Sequence, residues 1–148
     1  MTQEWNDRKT WMSLLAKVPV EALALAWDEA DLGPDYRWLR RPETGAVMVR
    51  GRMGGTGLPF NLGEMTVTRC ALELADGGAV GHGYVQGRDK GHAERAALCD
   101  ALMQTEARGA VVETILTPLA TQAAQVKGQR AERAAATKVD FFTMVRGE

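Results

Sequence analysis

The chain has 148 residues, 25% of them charged and 45% hydrophobic, with a formal net charge of −1. That length suits one domain with its own core, and the composition excludes whole-chain disorder. The near-zero balance excludes a global field drawing the protein to nucleic acid or to a membrane surface, so any anion site must be local. No run approaches the ~20 apolar residues of a bilayer span. The charged start, MTQEWNDRKTWMSLLAKV, does not read as a signal peptide. Cys70 and Cys99 stand alone, too few for a disulfide framework, and read as small core residues in a reducing compartment. The sequence therefore predicts a cytoplasmic protein.

In chain order, Asn6 or Asp7 caps a first helix whose apolar face is Trp11, Leu14, Leu15 and Val18. Pro19 suits the start of a second helix, with Leu23, Ala26, Trp27 and Ala30 at helical spacing, and Gly33-Pro34 ends it. The middle alternates. YRWLR and AVMVRG flank PETG, which reads as a hairpin turn. RMGGTGLPFNLGE is glycine-rich and predicts an irregular connection. MTVTRCALEL and AVGHGYVQG form a second hairpin about ADGG, and Gly81 and Gly83 predict a helix packed close against the last strand. Asp89 caps the next helix, with Ala93, Ala97, Leu98, Ala101 and Leu102 as its stripe. VVETIL continues as a short helix or strand. From Thr117 a helix runs through Lys138 with only a thin apolar stripe of Leu119, Ala123 and Val126, so it buries little by itself. VDFFTMVRG then places Val139, Phe141, Phe142 and Met144 in a terminal arm, where large side chains are worth roughly 1.5–3 kcal/mol each when buried.

The fold class is α+β: N-terminal helices, a four-stranded mainly antiparallel sheet, then C-terminal helices with an extended arm. It forms a single domain over 1–148, divided into helical 1–33, sheet 35–87, helical 89–116, and 117–148 for the last helix and a partner-binding arm.

Three stretches carry candidate chemistry. Arg88, Lys90, His92, Glu94 and Arg95 crowd the start of the helix after Gly87. Helix N-termini favour anions, so this is either an anion cradle or an interface network around a capped helix. A capping Asp89 opposes the anion reading, because its carboxylate sits where the anion would. Glu94 otherwise reads as a solvated neighbour of Lys90. His92-x-Glu94 with Cys99 lacks the Pro-Cys-x-x-Cys pair of a zinc deaminase, so no metal site is assigned. The loop Arg52, Gly54, Gly55 and Gly57 permits close backbone approach, but Leu58 and Pro59 follow where a P-loop needs Lys and Ser or Thr. Serine occurs once, at Ser13, and no nucleophile constellation stands out. Catalytic residues: none; cofactors on this chain: none.

Taken together and in order, RMGGTG (52–57), GRDKGHAERAALCDALMQ (87–104) and VDFFTMVRG (139–147) closely resemble the PhnG family, with RKTWMSLLA and ETG also fitting. That family is the small subunit of the bacterial carbon–phosphorus lyase core complex. The resemblance implies a hetero-oligomeric subunit working with larger partners and an ATP-binding accessory protein. Such a complex attaches alkylphosphonate to C1′ of the ribose of ATP, releases adenine and yields ribose 1-methylphosphonate 5-triphosphate. The nucleosidase-like chemistry and the later radical iron–sulfur step belong to other subunits. The cluster at 88–95 then reads as interface, and the arm as a segment for a partner's groove. The alternatives are a stand-alone phosphate- or phosphonate-binding domain or small enzyme using Arg88, Lys90, His92 and the glycine loop, and a structural homodimer exchanging its arm.

Overall fold

A computed structural model describes the backbone of residues 4–146 and the side chains of residues 4–137. Helix α1 (Arg8–Lys17) starts where the Asp7 carboxylate accepts from the Lys9 N–H, and it buries Trp11 and Leu15. After Pro19, α2 (Val20–Ala30) buries Leu23 and Ala26 and ends at Asp31, in a left-handed conformation.

Three strands follow, β1 (Tyr36–Arg52), β2 (Pro59–Leu74) and β3 (Val80–Gln86), in the antiparallel order β1-β2-β3. The sheet therefore has three strands, not the four predicted. PETG is not a turn. Glu43, Thr44 and Gly45 pair with Arg69, Thr68 and Val67, and the Thr44 and Thr68 hydroxyls lie 3.0 Å apart. Pro42 is tolerated because β1 is an edge strand and its register shifts between Arg40 and Glu43, so no ladder bond is lost there. The glycine-rich segment is also more regular than predicted. Only Met53–Gly55 form a 3-10 turn, with Gly54 at φ 60°, and pairing resumes at Pro59. β2 pairs with β3 only from Val67 onward. The β1–β2 ribbon beyond it carries exposed Met48, Met53, Leu58, Phe60 and Leu62.

Asp89 caps α3 (Lys90–Leu102), its carboxylate accepting from the His92 N–H at 2.8 Å. The helix lies on the sheet through Cys70, Leu72 and Val85. Gly81 and Gly83 admit it, because a Cβ on either would fall 1.9 Å from the Ala97 carbonyl oxygen or 2.1 Å from that of Ala93. The predicted close approach is present. A short α4 (Arg108–Val111) passes through a π turn, Val112–Leu116, into α5 (Thr117–Arg146), so VVETIL is helical. The backbone of α5 continues as helix where an extended arm was predicted after Lys138. The roles assigned to the Val139, Phe141, Phe142 and Met144 side chains lie outside the described residues. From 121 to 137 every α5 residue is exposed, consistent with its thin stripe. Leu15, Leu23, Leu72, Met103, Ile115, Leu116 and Leu119 centre the core. No helix among the described residues is long and apolar enough to cross a membrane.

Candidate functional site

The start of α3 separates the cluster at 88–95 by helical phase. Arg88 and Lys90 are exposed, as is the capping Asp89. Arg95 folds its guanidinium over Gly91, where an added Cβ would meet it at 3.1 Å. His92 points the other way. It is 3% exposed, and its Nε2 donates to the Leu15 carbonyl at 2.7 Å, while Nδ1 has no partner. A ring pinned between α1 and α3 cannot join Arg88 and Lys90 around an anion. Glu94 is not on the solvated face either; it accepts from the Tyr36 hydroxyl on β1. Desolvation, then Glu94, pushes the Tyr36 phenol up to about 12. The glycine loop is remote from this helix end. Seven residues of β2 pair only with β1 beyond the end of β3, which at roughly 3.3 Å per residue places Arg52 and Gly54–Gly57 about 23 Å further out. The two parts of the stand-alone anion site are not brought together.

The largest concentration of polar bonding lies elsewhere and was missed from the sequence. Asp100, fully buried in α3, accepts from Arg8 Nε at 3.0 Å and Nη2 at 2.6 Å. It also accepts from Trp11 Nε1 at 2.8 Å and from the His82 N–H at 2.9 Å. One carboxylate thus ties α1, α3 and the outer edge of β3 together, with its lone pairs used as a buried charge requires. Its hydrogen bond, ahead of its charge, raises the Arg8 pKa, against an opposing desolvation. Arg108 extends the lock, lying 5.1 Å over the Trp11 ring and donating to the carbonyls of Met103 and Trp5. The available signal was an aspartate inside LCDAL, an otherwise apolar run, together with Arg8 and Trp11 one helical turn apart.

Neither thiol is poised for chemistry. Burial pushes Cys99 up to about 12 and Cys70 to about 11, and the Cys70 Sγ donates to the Ala93 carbonyl at 3.2 Å. No three His, Cys, Asp or Glu side chains group as metal ligands among the described residues.

Beside the Asp100 lock, α1 and the outer edge of β3 enclose an open recess of about 530 Å³. Met12, Leu15, Ala16 and Ala96 give it an apolar lining, Arg8, Lys9 and Lys17 are its charged members, and His82 and Tyr84 form the strand wall. By fold and site this is a small antiparallel α+β protein whose buried polar groups hold its own elements together, and whose apolar ribbon and recess stand open. The sequence profile of the PhnG family, described as phosphonate metabolism protein PhnG, matches residues 6–147, and the chain belongs to this family. It is 50% identical over 142 residues to the alpha-D-ribose 1-methylphosphonate 5-triphosphate synthase subunit PhnG of Rhizobium meliloti (strain 1021), covering 96% of this chain and 90% of that relative.

Proposed function

We propose that this chain is the corresponding subunit of a ribose 1-methylphosphonate 5-triphosphate synthase, acting in phosphonate catabolism within the carbon–phosphorus lyase complex in the cytoplasm. The observation that carries the reading is 50% identity along 96% of the chain to a subunit of that synthase. The complex joins an alkylphosphonate to C1′ of the ribose of ATP and expels adenine. This chain supports that step by holding other subunits in place. Its thiols are buried, His92 faces inward and Asp100 is engaged in holding the fold, so these four groups serve the structure. Arg88, Lys90 and Arg95, the ribbon tip at Arg52–Gly57, and the segment of Val139, Phe141, Phe142 and Met144 serve as partner-facing surface.

The test is reconstitution. The other subunits are purified with and without this chain and supplied with ATP and methylphosphonate, and adenine release is followed. Adenine release that needs this chain, together with its co-purification in the assembly, supports the proposal. Full turnover by the remaining subunits without it, or turnover by this chain alone, refutes it.

A further inference from the structure

The two edges of the sheet are treated differently. β1 carries the devices that keep an edge from pairing: Pro42, register shifts at Trp38–Arg40 and Arg40–Glu43, and charged Arg37, Arg40 and Arg41. β3 carries no proline and pairs with β2 without a register shift. The ladder fixes which of its groups point outward. The Gly87 N–H donates to the Thr66 carbonyl and the Leu74 N–H to the Ala79 carbonyl, so the odd-numbered residues between them exchange bonds with β2. Val80, His82, Tyr84 and Gln86 direct their backbone groups away from the sheet.

Half of that edge is closed by side chains. The Val80 carbonyl accepts from Gln104 at 2.8 Å and from Arg8 at 3.4 Å, and the His82 N–H donates to Asp100. The other half has no bonded partner among the described residues: the His82 carbonyl, both backbone groups of Tyr84, and the Gln86 N–H. This open half forms the strand wall of the recess against α1, whose lining is apolar and whose charged members are all cationic. An edge strand beside a helix, with free main-chain groups and a pocket between them, is the arrangement used for strand addition.

We propose that the His82–Gln86 edge takes an extended segment of another synthase subunit as a fourth strand, with an apolar side chain in the recess and acidic side chains toward Lys9 and Lys17. This rests on the subunit reading above. Main-chain bonds to Tyr84 and Gln86 supply the attachment, and the charge pattern selects an acidic, apolar segment over a basic one.

Amide hydrogen exchange on the free chain and on the purified assembly tests it. In the free chain the Tyr84 and Gln86 amides exchange far faster than those of Gly83 and Val85. In the assembly they slow by about tenfold or more, as bonded amides do. Gln86→Pro removes an outward N–H and the exposed side-chain contact of Gln86 with Met65, and spares the β2 main-chain ladder. It should weaken co-purification while the thermal melt of the free chain stays unchanged. If it unfolds the chain, the exposed pair Lys9→Glu with Lys17→Glu makes the same test through charge. Assembly with Tyr84 and Gln86 still exchanging as in the free chain overturns strand addition and leaves the subunit reading standing. Failure to assemble at all overturns both. Protection that grows with concentration in the free chain assigns the edge to a second copy and overturns the proposal.

Discussion

Asp100 is the residue whose removal should disturb the fold most for the fewest atoms. Asp100→Ala leaves Trp11 Nε1 and the His82 N–H without their acceptor, at about 1–3 kcal/mol for each buried orphan. Arg8 adds less, because its side chain is 43% exposed and recovers water. Relief of the buried carboxylate's own desolvation offsets part of the loss. The sum is about 3–4 kcal/mol, a large share of the ~5–15 kcal/mol that stabilises a typical domain. Asp100→Asn keeps one acceptor oxygen but turns an amide N–H toward a donor, and should cost about 2–3 kcal/mol. Urea titration reads this directly. With a slope of about 2 kcal/mol/M, a 3 kcal/mol loss lowers the midpoint by about 1.5 M. The pair must also be coupled, so Arg8→Met should cost much less in the Asp100→Asn background than in the native one. Midpoints within 0.3 M of native (about 0.6 kcal/mol at that slope) for both Asp100 variants, with additive Arg8 effects, would refute the account of this lock.

Gly83→Ala should cost about 3 kcal/mol, because its Cβ would lie 2.1 Å from the Ala93 carbonyl and α3 would have to withdraw. Gly45→Ala, with nothing within 4 Å of the added Cβ, should stay within about 0.5 kcal/mol, and thermal melts of the two decide it. Cys70, Cys99 and Tyr36 have raised folded-state pKa values, so their contribution is full below the unfolded thiol value of about 8.5. That contribution is lost as pH rises toward 11–12. Stability measured by urea titration should therefore fall from about pH 9 upward, and a thiol reagent at pH 8 should label both cysteines in urea but neither in the native protein. Trypsin should cut the free chain first at Lys127 and Arg130, on the fully exposed stretch of α5, before any site in α1–α3.

Local rules were readable where one residue decides one feature. Asp7 and Asp89 as caps, and Gly81 and Gly83 as the seat of a helix, follow from chemistry confined to a few neighbours, while α2 ends at Asp31, ahead of the predicted Gly33-Pro34 stop. PETG misled because the same residues fit a turn or a shifted edge strand. The choice was made by β2, whose Arg69, Thr68 and Val67 hold Glu43, Thr44 and Gly45 in register. His92 misled because its neighbours in sequence, Arg88 and Lys90, are not its neighbours on the helix, and its partner is Leu15, 77 residues away. Asp100 was invisible for the same reason. An aspartate in a helix ordinarily faces water, and its donors lie 92, 89 and 18 residues distant.

The division of the molecule bears on how it assembles. The body is dense: α3 is buried almost all round between the sheet and the other helices, and every donor at Asp100 is used. The β1–β2 ribbon beyond Thr66 and α5 from 121 to 137 lack this packing, and a two-stranded ribbon or a thinly striped helix is marginal in water. Exposed Leu58, Leu62 and Met53 on the ribbon are 83%, 62% and 66% accessible, a costly arrangement for a lone monomer. Binding a partner would cover that area, but part of the gain must offset the entropy of ordering the projections. Assembly should therefore raise exchange protection most in the ribbon and in α5 and least in α3, whose bonds are already closed. A uniform rise across the chain would instead mean that partners stabilise the body, contrary to this division.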